Sequence, residues 1–450
     1  MSSNTSMHGH WKSRWLFILA ATGSAVGLGN IWKFPYITGE NGGGAFVLVY
    51  LLCISIIGIP VMIAEVSLGR MGRQSPINTM KALAKASNAS PNWAIIGWMG
   101  ALAGFLILSF YSVIAGWALS YTVDMANGDF VKISVEDSGS IFTSLLANPI
   151  QLTIWHTVFM VLTIAIVARG VNAGLEKAIK FLMPVLFILL FILFGYALSS
   201  DGFTQGFNFM FSFDFNKLTT ESIMVAMGHA FFTLSLGLGA IMAYGAYMPE
   251  NTSIAKTVVI VAFLDTAVAI MAGLAIFPIV FANGLEPSAG PGLLFQTLPI
   301  AFGQMSGGII FGTMFFVLVS FAALSSAISL AEPIVAWMVE RFNMSRNKAA
   351  AIIGISAWTL GMATVFSFNI WSDVKLFDKT PFDFLDFLTT NIILPLGGLC
   401  IALFTGWTMS QTKIKNEVGI DYPLLYKLWL FTLRFLAPIA IVAVLIKGLI

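Results

Sequence analysis

Charged side chains are scarce in this chain of 450 residues. Asp, Glu, Lys and Arg make up only 10%, and 23 basic residues nearly balance 21 acidic ones for a net charge of +2. That balance argues against a nucleic-acid partner, which needs a concentrated basic face. Cysteine is almost absent too. Cys53 and Cys400 both lie in apolar runs, where a thiol acts as a small apolar side chain, so neither a disulfide framework nor a metal cluster is expected. Missing as well are a Walker-type phosphate loop and any nucleophile–base pair beside Asp265 and Glu65, which read as the chief buried acids. An enzyme or an ATP-driven pump is therefore not expected. What is plentiful is apolar: 58% of the residues are hydrophobic and 39 are Phe, with a mean hydropathy of +0.89. No soluble globular domain has that composition.

A membrane crossing needs roughly 20 mostly apolar residues, and lipid forces their backbone polar groups to pair internally, as helices do. Eleven such spans are expected, at Trp15–Ile37, Gly44–Leu68, Trp93–Val123, Leu152–Ala168, Ala178–Leu198, Ser222–Tyr247, Ile254–Asn283, Ser306–Val339, Ala349–Phe368, Phe384–Trp407 and Leu425–Leu449. The first is broken by Gly23, Gly27 and Gly29 and has no small-residue cleavage site, so it reads as a working span and not a removable signal peptide. Lys and Arg concentrate on one set of connections, including Lys12, Arg14, Arg70, Arg73, Arg169, Lys256, Arg341, Arg346 and Lys413. By the positive-inside rule this places the N-terminus on the cytoplasmic side of the membrane, and an odd span count leaves the C-terminus outside. The chain then divides into a cytoplasmic segment (1–14), a first five-helix unit (15–198), an extracellular connection (199–221), a second five-helix unit (222–410), and a loop with the eleventh helix (411–450).

Glycine clusters interrupt two spans in the middle: 23–30 in the first and 231–239 in the sixth. An odd offset of five spans puts the two halves in opposite orientation, as an inverted repeat does, and paired broken helices are the best sequence pointer to a midplane binding site. Where a helix unwinds, freed carbonyls can bind a cation and freed N–H groups can receive a carboxylate. Asn30, Thr233 and Ser235 add uncharged oxygen donors at the breaks, and Asp265 stands inside the apolar seventh span. An acid at that depth costs roughly 2.5–3.5 kcal/mol to insert and marks a functional site by default. Ser325 and Ser326 lie in the eighth span, where hydroxyls routinely bond back to the preceding turn.

The chain closely resembles bacterial members of the neurotransmitter:sodium symporter family, with the LeuT fold. The resemblance rests on Ser13-Arg-Trp15, the run from Gly23 to Pro35, Glu40-Asn-Gly-Gly-Gly-Ala-Phe46, Gly58-Ile-Pro60 with Glu65 and Gly69-Arg70, the break from Phe231 to Gly239, and Ala322–Ala327. It implies an all-α polytopic protein with a five-plus-five inverted repeat. It also implies a first sodium site from the Ala25 carbonyl, Asn30, Thr233 and Asp265, completed by the substrate carboxylate. A second would take the Gly23, Val26 and Ala322 carbonyls with Ser325 and Ser326; both are all-oxygen sites, as a hard cation requires. By the same resemblance, an amino acid would place its carboxylate at Leu28 and Gly29 beside the Tyr111 hydroxyl. Its side chain would face Ile107, Phe232, Ser235, Leu238, Ser326 and Leu330. Lys33 and Asp386 would gate the outside, with Phe232 and Tyr111 as a thin lid, and Trp11, Arg14, Tyr247 and Glu340 would gate the inside.

Departures from the family pattern are informative. Where many members carry an arginine to pair with the inner acid, this chain has His8, which leaves Lys12 as a substitute partner for Glu340. A lysine, Lys33, replaces the usual outer arginine and loses its bidentate geometry. His229 stands where a glutamine is common beside that gate and is expected to hydrogen-bond, with titration as the other reading. Asp265 replaces the usual asparagine, and Ala269 stands where some bacterial members place a glutamate. Animal members recruit chloride as the countercharge near that point, so a carboxylate at Asp265 implies transport without chloride. The function expected is sodium-coupled import of a hydrophobic or aromatic L-amino acid, with two sodium ions and no organic cofactor. The competing readings are an amino-acid sensor or a channel, and apolar closures with no ring of repeated charges speak against the channel.

Overall fold

The computed structural model describes residues 11–287 and 292–449, so His8 lies outside the described residues. Among them every regular element is helical, apart from one isolated bridge pairing Leu376 with Lys379. Nine helices among the described residues are long and apolar enough to cross a membrane, or ten when one bent pair counts as a single span. That pair is α1 (Arg14–Ala25) and α2 (Gly29–Glu40), bent by 53°. The others follow as α3 (Gly44–Gly72), α4 (Pro91–Asn127), α5 (Pro149–Ala168) and α6 (Val171–Leu198). Next come the short helices α7 (Thr220–Thr233) and α8 (Ala240–Ala246). The series ends with α9 (Ile254–Ala282), α10 (Gly308–Phe342), α11 (Arg346–Ser367), α12 (Pro381–Thr408) and α13 (Pro423–Gly448). The expected count of eleven is not reproduced by length, because the sixth span is cut by 234–239 into pieces that are each too short to cross alone.

Local chemistry sets these boundaries. Ser13, Asn148, Thr219, Ser253, Ser345 and Thr380 each turn a side-chain oxygen onto a free amide of the helix that follows, capping α1, α5, α7, α9, α11 and α12. Gly128, in the left-handed conformation at φ 84°, closes α4. The long helices α4 and α10 share the most extensive helix–helix interface, and α8 lies along α3. Around that core α5 and α6 present large apolar side chains outward, Ile150, Val161, Phe181 and Phe191 among them. An apolar exterior on a helical bundle is a lipid-facing surface. At the N-terminal end of the bundle, helix Gln411–Val418 is tied to α3 by Glu417, whose carboxylate lies 2.6 Å from the Arg70 guanidinium.

Both expected breaks are present. α1 stops at Ala25 and α2 restarts at Gly29, while α7 stops at Thr233 and α8 restarts at Ala240. The second break needs glycine for two reasons. Gly237 has φ of 76°, and a Cβ there would stand 2.6 Å from the Leu394 carbonyl oxygen. Glu65 of α3 holds the unwound segment: it is fully buried, and its Oε2 accepts the Gly237 amide at 3.0 Å.

Candidate functional site

Asp265, on the buried face of α9, is fully enclosed and points at the first break. Its Oδ1 accepts from Asn30 Nδ2 at 2.8 Å, and Thr233 Oγ1 donates to its Oδ2 at 3.1 Å. Asn30 Oδ1 in turn accepts the Gly27 amide at 3.1 Å. Three elements thus bring together the three side chains expected at the first sodium site. Among the described residues no lysine or arginine lies within ion-pair distance of Asp265. A carboxylate at this depth without a basic partner carries a desolvation cost that a bound cation or a proton would offset.

The second oxygen set also converges. Ser326 Oγ donates to the Val26 carbonyl at 3.1 Å, and Ser325 Oγ to the Ala322 carbonyl at 3.0 Å. Gly23 completes the group, since a Cβ on it would stand 3.4 Å from Ser325 Cβ. The tighter contact of that Cβ would be with Met183 Sδ of α6 at 3.0 Å, so the missing side chain eases the approach of α1 to α6.

Between the breaks lies a cavity of about 30 Å³, lined by Ala25, Leu28, Gly29 and Tyr111 and walled by Ile107, Leu238 and Leu330. The Leu28 amide donates to Tyr111 Oη at 3.3 Å, which fixes the phenol at the break. Gly27 makes room for this: a Cβ there would stand 2.5 Å from Ser326 Oγ and 2.9 Å from Tyr111 Oη. Phe232 and Tyr111 also floor a second cavity of about 410 Å³, into which Trp32, Lys33 and Asp386 project. Lys33 does not pair with Asp386 there. Its Nζ lies 4.8 Å above the centroid of the Phe232 ring, and Asp386 Oδ1 accepts from Thr390 Oγ1 at 3.1 Å.

On the opposite, N-terminal side the molecule is closed. Trp11 is buried: its backbone amide donates to the Tyr247 carbonyl at 3.0 Å, and its indole Nε1 to the Tyr244 carbonyl at 3.2 Å. Arg14 donates to Thr257 Oγ1 at 3.1 Å. Glu340 accepts from the Ser75 amide and from Asn78 Nδ2, each at 2.7 Å. Lys12, the expected substitute partner for Glu340, instead reaches Glu176 at 3.8 Å.

Two residues that sequence reasoning missed complete this closure. Tyr247 Oη donates to Glu332 Oε1 at 2.8 Å, and Arg346 forms an ion pair with Glu332 Oε2. Glu332 is fully buried, so Asp265 and Glu65 are not the only acids at depth. The signal was available: Glu332 interrupts an apolar run just as Asp265 does. The expected hydrogen bond from His229 is not formed. Neither ring nitrogen has a partner among the described residues, and the imidazole stacks on Phe34 at 6.0 Å and packs against Tyr50 at 5.4 Å.

Comparison with known proteins agrees with this geometry. The model of the sodium:neurotransmitter symporter family matches residues 8–132 and 129–450. A sodium-dependent transporter of Bacillus subtilis is 40% identical over 96% of this chain and 96% of its own length. The sodium- and chloride-dependent GABA transporter 2 of Homo sapiens is 24% identical over 95% of this chain and 78% of its own. Among solved structures, the crystal structure of MhsT in complex with L-phenylalanine superposes with a TM-score of 0.90 at 45% identity, covering 98% of this chain and 99% of that one. With broken helices, oxygen-rich breaks and nearly full-length matches in agreement, the chain belongs to the sodium:neurotransmitter symporter family and has the LeuT fold.

Proposed function

We propose that this protein imports a hydrophobic or aromatic L-amino acid together with two sodium ions, by alternating access and without chloride. The observation that carries the reading is Asp265, a buried carboxylate held by Asn30 and Thr233 beside an unwound helix and without a basic partner among the described residues. It supplies the countercharge for one sodium ion. The amino acid's carboxylate, at the Leu28–Gly29 amides and Tyr111, supplies the other half of that coordination. Ser325, Ser326 and the Gly23, Val26 and Ala322 carbonyls hold the second ion. The likeness to MhsT, whose structure contains L-phenylalanine, supports an apolar or aromatic substrate. Basic residues clustered on the Trp11 side make that side cytoplasmic, so the cavity beside Lys33 and Asp386 opens outward. Alternating access then requires the Trp11–Tyr247–Glu332 closure to open as the outer lid shuts. Ions and substrate shift that equilibrium by their different affinities for the two states.

Uptake into proteoliposomes tests the reading. A panel of labelled amino acids should accumulate against its gradient under inward sodium and not under choline. Binding without accumulation would instead indicate a sensor. At fixed sodium, replacing chloride with gluconate should leave uptake unchanged; a collapse would show that Asp265 does not serve as the countercharge. Gly27→Ala should lower uptake by about tenfold or more, because the new methyl displaces Tyr111 or Ser326 from the break. Uptake unaffected by that methyl would remove Tyr111 from the carboxylate subsite.

A further inference from the structure

Four serines form one side of the small cavity: Ser24 of α1, Ser235 in the second break, and Ser326 and Ser329 of α10. All four are buried. Their hydroxyl protons are already committed. Ser24 Oγ donates to Ser329 Oγ at 2.8 Å, Ser329 Oγ to the Ser326 carbonyl at 2.7 Å, and Ser235 Oγ to the Ser24 carbonyl at 3.0 Å. Ser326 Oγ donates to the Ser24 and Val26 carbonyls at 3.2 and 3.1 Å. A hydroxyl has one proton and two lone pairs, so this surface has spent its donors and keeps acceptors. It faces Ile107, Leu238 and Leu330, a wall that by itself fits any apolar side chain.

We propose that Ser24, Ser235 and Ser329 form an acceptor floor that selects amino acids whose side chain ends in a hydrogen-bond donor, a phenol hydroxyl or an indole N–H. The proposal rests on the amino-acid reading of this cavity and narrows it. A phenylalanine or leucine side chain would cover those lone pairs without satisfying them, which is the unfavourable arrangement for buried polar groups. Room for a ring comes from the lid, since Phe232 separates this cavity from the larger one above. Hydroxyls bridging two helices can also serve only as packing glue. In that role they would affect all substrates alike.

The test is sodium-dependent uptake of tyrosine, tryptophan, phenylalanine, 4-methoxyphenylalanine and leucine, in the native protein and in Ser24→Ala and Ser329→Ala. Native kcat/KM for tyrosine should exceed that for phenylalanine by about tenfold, the effect of one buried hydrogen bond. 4-Methoxyphenylalanine, which keeps the oxygen and loses the proton, should fall with phenylalanine or below it. In each variant the tyrosine-to-phenylalanine ratio should drop toward unity. A native ratio within twofold, or a ratio unmoved by either substitution, would overturn the acceptor floor while leaving the symporter reading intact. If no amino acid is taken up by the native protein, the symporter reading fails, and the floor with it.

Discussion

Asp265→Ala should reduce sodium-dependent uptake to the level seen in choline while leaving the protein at least as stable. Asp265 is the one full charge that the protein contributes to the oxygen set at the first break; Asn30 and Thr233 are neutral. A unit charge pair at about 4 Å in an effective dielectric of about 20 is worth about 4 kcal/mol, roughly a thousandfold in sodium affinity. Stability should move the other way, because alanine removes a buried acid that costs roughly 2.5–3.5 kcal/mol at membrane depth. Thermal unfolding in detergent without sodium checks that sign. A variant that unfolds early would mean Asp265 serves the fold and not the ion. Asp265→Asn keeps an oxygen donor and loses only the charge, so it should fall between alanine and native protein.

Arg346→Ala should open the N-terminal side. Glu332 is fully buried and holds two partners at once, Arg346 at one oxygen and Tyr247 at the other. Tyr247 in turn receives the Trp11 amide on its carbonyl, so one carboxylate joins α10 to the chain after α8 and to the segment before α1. Removing one partner of a buried ion pair costs about 3–5 kcal/mol, because the remaining charge is stranded. The strain is relieved if the closure opens and water reaches Glu332. An equilibrium standing near 99:1 would be inverted by a change of about 5.5 kcal/mol, so a cost of this size takes it most of the way. Hydrogen–deuterium exchange should therefore quicken in residues 11–25 and in α8, and uptake should fall as the outward-facing population shrinks. Arg346→Lys, which keeps the charge without the planar fork, should show a smaller effect. Unchanged exchange in Arg346→Ala would remove Glu332 from the closure.

Much of this was legible in the sequence because it depends on local chemistry. Glycine clusters announce broken helices, and an acid in an apolar span announces its own exceptional role; both features appear where expected, at 26–28, 234–239 and Asp265. The count of eleven crossings was not recovered by helix length, since unwinding the sixth span is the same event that makes a site and leaves two short helices. Pairings between distant elements were the least legible. Lys33 shares a cavity with both Asp386 and Phe232, and its ammonium lies over the Phe232 ring, a choice between distant elements that local sequence does not encode. Lys12 likewise found Glu176 on α6, an acid that local sequence does not connect with it. The serine floor was hidden for another reason: a serine in a helix normally bonds its own preceding turn, and only geometry shows Ser24 reaching across to Ser329.

The central claim is that sodium and the amino acid share one site through the substrate's carboxylate. Affinity for the amino acid, measured by calorimetry or scintillation proximity across a sodium series, tests it when paired with the decarboxylated amine of the same side chain. Because coupling is reciprocal, sodium should raise amino-acid affinity and the amino acid should raise sodium affinity by the same factor. The amine, which cannot complete the ion's coordination, should bind weakly and independently of sodium. Equal sodium dependence for the amino acid and its amine would contradict the shared site.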